Sequence, residues 1–230
     1  RDAFRDVSRL DISTKSTPTD LVSEADEAAE RLIRSRLPAG DAVLGEEGGE
    51  TVPAHPSGDR RWVVDPLDGT VNFLFGIPQW CVSIALEGVC GVVYDALRDE
   101  LWAAEAGGEA TLNDVPIAAS GRTELAQAMI ATGFEYDARV RAAQAQIMAR
   151  VVPRVRDVRR FGSAALDMVW TAGGRFDGYY EHGTKPWDTA AAEIICTAVG
   201  LEVRELPARD PIPAGVLVGP AALADELRLL

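Results

Sequence analysis

Cysteine and histidine are scarce, with 3 and 2 among 230 residues. Cys81, Cys90 and Cys196 are odd in number, lie in apolar surroundings and show no Cys-x-x-Cys spacing. That argues against a disulfide framework or a zinc knuckle and predicts buried reduced thiols. Long apolar runs are missing too: nothing approaches the ~18 to 20 residues of a spanning helix. No basic stretch leads into an apolar one, so the expectation is a cytoplasmic protein with no membrane contact. Positive charge is short, with 23 Lys and Arg against 36 Asp and Glu and a net charge of -13. This is a poor footprint for a nucleic-acid or anionic-membrane binder. An acidic chain that handles an anionic substrate must lower its local potential, and bound divalent cations are the direct means.

What is present is an ordinary globular composition, 47% hydrophobic and 26% charged. The expected organisation is one domain over residues 1–230, strand-rich to about residue 120 and alternating between strands and helices from about 121. Val22, Ala25, Ala29, Leu32 and Ile33 fall at helical spacing in a segment that starts at Asp20 and ends at Pro38-Ala39-Gly40. Short β-type runs follow at 42–44, 62–64 and 80–86, then a hairpin of 91–94 with 100–104. Beyond it the pattern predicts strands near 129–131, 155–158, 177–180 and 216–218, and helices over 138–152, from Ser163, over 187–199 and from Ala221. Two connections look compressed, at 87–90 and after Gly200.

The strongest chemical signal is Asp65-Pro66-Leu67-Asp68-Gly69-Thr70, directly after the strand Trp62-Val63-Val64. Two carboxylates three residues apart, across a Pro that stiffens the turn, can converge on hard cations at a strand's carboxyl end. Gly69 and Thr70 then offer backbone N–H groups where a phosphate is favoured. Glu46 ends the previous strand in Gly45-Glu46-Glu47-Gly48, and adjacent strand ends open onto one crevice. Late in the chain Glu181-His182-Gly183-Thr184-Lys185-Pro186-Trp187-Asp188 joins a strand to a helix, with Asp188 in the first turn. Taken singly, an Asp-rich turn, a solvated Glu pair and a helix-start Asp are all commonplace.

Together, the segment Lys15-Ser16-Thr17-Pro18-Thr19-Asp20-Leu21-Val22 with Asp26, then Gly45-Glu46-Glu47-Gly48, then the run from Trp62 through Asp68-Gly69-Thr70-Val71-Asn72-Phe73, then Trp187-Asp188, resemble the inositol monophosphatase family. The resemblance implies an α/β fold of the five-layered αβαβα kind, a homodimer, and Mg²⁺-dependent, lithium-sensitive hydrolysis of a small phosphorylated polyol by metal-activated water. It implies two or three Mg²⁺ ions. Glu46, Asp65 and the Leu67 carbonyl would hold the first, Asp65, Asp68 and Asp188 the second, and Asp26 the outer shell of a third. Thr70 with Glu46 would orient the attacking water, Gly69 and Thr70 would bind phosphate, and Ala164 and Glu181 would face the polyol hydroxyls.

Relatives with the same metal core act on 3′-phosphoadenosine 5′-phosphate, histidinol phosphate or fructose 1,6-bisphosphate, so the fold leaves the substrate open. Thr70-Val71-Asn72-Phe73 resembles the inositol branch, and Glu181 suits a polyol because a carboxylate accepts hydrogen bonds from adjacent hydroxyls. A third reading, a mainly non-catalytic partner of a transcription complex, predicts lost ligands, whereas every carboxylate is retained. The basic run from Arg154 to Arg160 could serve such a partner, but its alternation also suits the solvent face of a strand. His182, beside Glu181, is expected to orient or face solvent rather than act as general acid.

Overall fold

A computed structural model describes residue 4 and residues 12–14, 21–56 and 58–229, the backbone alone for 12–14 and 21–23. The Lys15 to Asp20 part of the sequence motif lies outside the described residues. Strands β1 (Ile12–Thr14) and β2 (Leu21–Ser23) pair antiparallel and lead into helix α1 (Glu24–Arg36). The helix expected from Asp20 therefore begins at Glu24, because 21–23 are taken by strand pairing. Glu24, Asp26 and Glu27 in its first turn and Arg34 and Arg36 in its last suit the helix dipole.

The first sheet has eight strands: β3 (Ala42–Gly45), β4 (Gly49–Thr51), β5 (Arg61–Asp68), β6 (Cys81–Leu86), β7 (Cys90–Asp95), β8 (Glu100–Glu105), β9 (Ala110–Leu112) and β10 (Val115–Pro116). Their order is β10-β9-β8-β7-β6-β5-β3-β4, and β3 with β5 is the parallel pair in it. A short helix α2 (Thr70–Leu74) follows β5. The compressed connection at 87–90 is a tight hairpin, with Leu86 opposite Cys90.

The second half alternates as its pattern predicts. It runs β11 (Met129–Thr132), α3 (Ala138–Val151), β12 (Asp157–Arg159), α4 (Ala164–Ala172), β13 (Gly178–His182), α5 (Pro186–Ala198), β14 (Glu202–Leu206), β15 (Gly215–Gly219) and α6 (Ala221–Arg228). The strands form one sheet in the order β12-β11-β13-β15-β14. Two strands are displaced from expectation and one was not expected. The strand expected at 155–158 forms at Asp157–Arg159, paired with β11, and β13 runs two residues further so that Glu181 and His182 lie within it. The strand β14 gave no apolar run to read, because Glu202-Val-Arg-Glu-Leu is a charged edge strand.

The layers are α1 on the first sheet, α4 and α5 between the two sheets, and α3 with α6 on the far face of the second. Every residue of α4 is buried, as a helix enclosed by two sheets requires. Its Leu166 and Met168 pack with Val93 and Trp102 of the first sheet and Tyr179 and Val218 of the second. Truncating such a side chain to Ala costs about 2–5 kcal/mol. Cys81 and Cys196 are buried free thiols as expected, while Cys90 is only half-buried.

Candidate active site

The middle of the first sheet supplies the acids. Strand β5 lies between β3 and β6, and its residues from Val63 onward are buried. Asp65 pairs with Ser83 and Asp68 with Cys81, so β5 spends one more residue than β6 between those points. The bulge accommodates Pro66, which has no N–H for the ladder. The Leu67 amide donates to Asp65 Oδ1 at 2.9 Å, tightening the turn. Because β3 and β5 run parallel, their ends emerge side by side. The Glu46 amide donates to the Val64 carbonyl at 3.2 Å, which seats Glu46 next to Asp65.

Gly69 follows with φ +99°, a left-handed conformation that glycine adopts without the Cβ penalty, and it opens α2. Thr70 Oγ1 donates to Asp26 Oδ1 at 2.8 Å, with the Leu67 carbonyl at 3.1 Å as a second acceptor. Asp68 receives the start of α4: Ser163 Oγ at 2.6 Å and the amides of Ala165 and Ala164 at 2.7 and 3.3 Å. Asp188 is the third residue of α5 and accepts the Lys185 amide at 2.7 Å. Glu181 projects from β13, where the Tyr179 hydroxyl donates to its Oε2 at 2.8 Å.

Glu46, Asp65, Leu67, Asp68, Gly69, Thr70, Ala164, Glu181 and Asp188 all line one cleft of about 400 Å³. Asp26 is fully buried and reaches the cleft through Thr70. Its other acids are Glu135 and Asp137, and its cations are Arg160 and Lys185. His182 lines it too, but its Nδ1 is bonded to the Pro213 carbonyl at 2.8 Å, and burial lowers its pKa.

The electrostatics are those of crowded carboxylates. Burial first, then the charges of Glu46, Asp68 and Asp188, hold the Asp65 carboxyl well above its usual range. Burial raises Asp68 to about 6 against the opposing hydrogen bonds of Ser163 and Ala165. Burial and then Asp68 raise Asp188, and burial raises Glu181 to about 7.

Buried hard oxygen donors whose carboxyl pKa values are raised by burial and by one another's charge fit divalent cations, whose charge would offset that repulsion. Among the described residues no three His, Cys, Asp or Glu side chains already converge on a ligating centre. The fit is therefore one of donor chemistry and charge. It suits Mg²⁺, which keeps waters and substrate oxygens rather than filling an all-protein cage.

Several supporting residues act through contacts that the sequence does not display. Glu30, an ordinary acid on α1, is buried, pairs with Arg34 at 2.7 Å and accepts the amides of Glu47 and Gly48, fixing the loop that carries Glu46. Asn72 stood out as a mark of the inositol branch. Its amide donates to the carbonyls of Gln79 and Phe161, stapling the loops at the cleft floor. At Gly133 a Cβ would collide with the Glu181 carboxylate, so only glycine leaves that acid its seat. Besides its i,i+4 pairing with Arg34, the contacts that give Glu30 its role are tertiary.

The comparisons agree with this geometry. Residues 1–227 match the inositol monophosphatase family. The inositol-1-monophosphatase SuhB of Mycobacterium tuberculosis is 45% identical over 94% of this chain and 79% of its own length. The Nus factor SuhB of Xylella fastidiosa is 37% identical over 91% of this chain and 80% of its own. Among solved structures, the extragenic suppressor protein SuhB of Bartonella henselae superposes with a TM-score of 0.88 at 33% identity, covering 99% of this chain and 90% of that one. With the layered fold, the acidic cleft and these matches in agreement, the chain belongs to the inositol monophosphatase family.

Proposed function

We propose that this phosphatase-family chain hydrolyses inositol 1-phosphate to myo-inositol and phosphate with Mg²⁺ as cofactor. The observation that carries the reading is one cleft lined by Glu46, Asp65, Asp68 and Asp188 together with Glu181. Glu46, Asp65 and the Leu67 carbonyl would hold one ion, and Asp65, Asp68 and Asp188 another, with Asp26 outside a third. When bound, the ions supply Lewis acidity, lowering the pKa of a water and offsetting charge on the leaving oxygen.

The chain's own residues do the positioning. Thr70 gives its proton to Asp26, which leaves its Oγ1 lone pairs free to accept from the attacking water on the Glu46 side. Gly69 and Thr70 present backbone N–H groups to the phosphate at the start of α2. Glu181, held by Tyr179, accepts hydrogen bonds from polyol hydroxyls, and Ala164 leaves room for the ring beside it. As the water oxygen bonds to phosphorus the P–O ester bond breaks, one water proton ending on the departing oxygen as the alcohol and the other on the phosphate, so no protein nucleophile is needed.

A second reading, a partner in transcription complexes, is favoured by the likeness to the Nus factor SuhB. The retained carboxylates speak for catalysis. The deciding experiment incubates the protein with Mg²⁺ and inositol 1-phosphate, fructose 1,6-bisphosphate, histidinol phosphate or 3′-phosphoadenosine 5′-phosphate. The highest kcat/KM is expected for inositol 1-phosphate. A higher value for another ester overturns the substrate, and no turnover of any favours the non-catalytic reading.

A further inference from the structure

A second cleft lies on the opposite face of β13, and its chemistry is the inverse of the first. Side chains alternate across a strand, so Tyr179 and Glu181 face the central layer and the catalytic cleft while Tyr180 and His182 face outward. There α3, β15, α6 and the segment from Leu206 to Ile212 enclose about 210 Å³. The walls are apolar, with Ile147, Val151, Leu217 and Leu227 among them. The charged lining residues are Arg150, Arg209 and Arg228, all exposed, with no Asp or Glu.

A lining that holds arginines and, among the described residues, no Asp or Glu is out of character in a chain with 23 basic and 36 acidic residues. Two acids close in sequence to Arg209 and Arg228 are engaged elsewhere: Asp210 pairs with Arg139 at 3.2 Å and Asp225 with Arg204 at 2.7 Å. The positive charges reach the cleft lining, since Arg150 lowers the pKa of Tyr180 against burial and Arg209 adds to the lowering at His182. An apolar floor under guanidinium donors matches a molecule with an apolar body and one anionic end. The volume is below the ~300 Å³ of common ligand clefts, which limits that body to a short chain or a single ring.

We propose that the cleft bounded by α3, β13, β15 and α6 is a binding site for a small amphipathic carboxylate, its apolar part against Ile147, Leu217 and Leu227 and its carboxylate on Arg209 and Arg228. The site is separate from the catalytic cleft, although His182 lines both.

Isothermal titration of the full chain with hexanoate tests this, with hexylammonium, acetate and inorganic phosphate plus Mg²⁺ as controls. Hexanoate binds saturably, hexylammonium and acetate bind at least about tenfold more weakly, and saturating phosphate leaves hexanoate binding unchanged. The Arg209→Ala/Arg228→Ala variant loses about tenfold or more in affinity with its Tm and aryl-phosphate turnover unchanged. Ala143→Trp, which fills the cleft from α3, abolishes binding. No saturable binding of hexanoate, equal binding of hexylammonium, displacement by phosphate, or unchanged affinity in both variants would overturn the proposal.

Discussion

Thr70 and Asp26, 44 residues apart, meet in a buried hydrogen bond of 2.8 Å from the threonine hydroxyl to the carboxylate. The bond ties α1 to the loop that carries the acidic motif, and it fixes where the Thr70 lone pairs point. If the pair works as a unit in aiming water, Asp26→Asn and Thr70→Ala should each lower kcat about 10²-fold or more. The double variant should be no slower than the slower single one. Steady-state kinetics on all three variants check this, and multiplicative losses would show two independent roles.

Ser163 should set the metal requirement without touching metal. Its hydroxyl and the amides of Ala164 and Ala165 hold the carboxylate of Asp68. Ser163→Ala removes a charge-assisted bond, and loss of such a supporting contact typically weakens metal affinity about 10- to 100-fold. A titration of activity against Mg²⁺ should shift right by that factor, with kcat at saturation largely restored. A drop in kcat that added Mg²⁺ cannot rescue would contradict it.

The raised carboxyl pKa values make a stability prediction. Asp65 and Asp188 lie well above the usual range and Asp68 at about 6. An acid whose pKa is higher folded than unfolded binds more protons in the folded state, so its contribution is full at low pH and is lost as pH rises through the folded value. Chelated protein should therefore lose Tm as pH rises from about 4 through about 6, the folded value of Asp68, and on beyond it, and Asp65→Asn should flatten that slope. Mg²⁺ should raise Tm more at the upper end, where the ligands are ionised. Thermal melts across pH with and without chelator check this, and an unchanged slope in Asp65→Asn would contradict it.

These supporting contacts mark where sequence reading stops. That Glu46, Asp65, Asp68 and Asp188 stand at strand ends and a helix start is readable from local pattern, and all four line one cleft. The layered fold was legible because apolar periodicity survives in buried elements such as α4 and β6. Ser163, Glu30 and Gly133 were opaque as site residues, since each acts through a partner far away in sequence. The strand β14 was opaque for a different reason: at the sheet edge its charged residues face solvent and leave no apolar signature.

Glu181 should govern substrate preference. It sits within β13, held by Tyr179, on the wall of the cleft rather than among the acids of β5. Removing a carboxylate that accepts from two hydroxyls forfeits about 1–3 kcal/mol of binding. Glu181→Ala should raise KM for inositol 1-phosphate by the matching factor and leave hydrolysis of a plain aryl phosphate nearly unchanged. Equal losses on both substrates would place Glu181 in the catalytic machinery, and no effect on either would leave it a structural role.

The most direct test of metal-dependent hydrolysis is phosphate release from inositol 1-phosphate by wild type and Asp65→Asn, each with Mg²⁺ and with chelator, alongside circular dichroism to confirm the fold. Asp65 feels the charges of Glu46, Asp68 and Asp188, so its own charge would serve both ions. Wild type should turn over with Mg²⁺ and stop with chelator, and folded Asp65→Asn should keep less than about a tenth of the wild-type kcat, a barrier increase above ~1.4 kcal/mol. Turnover that survives chelation, or a variant that retains more than that fraction, would contradict the account.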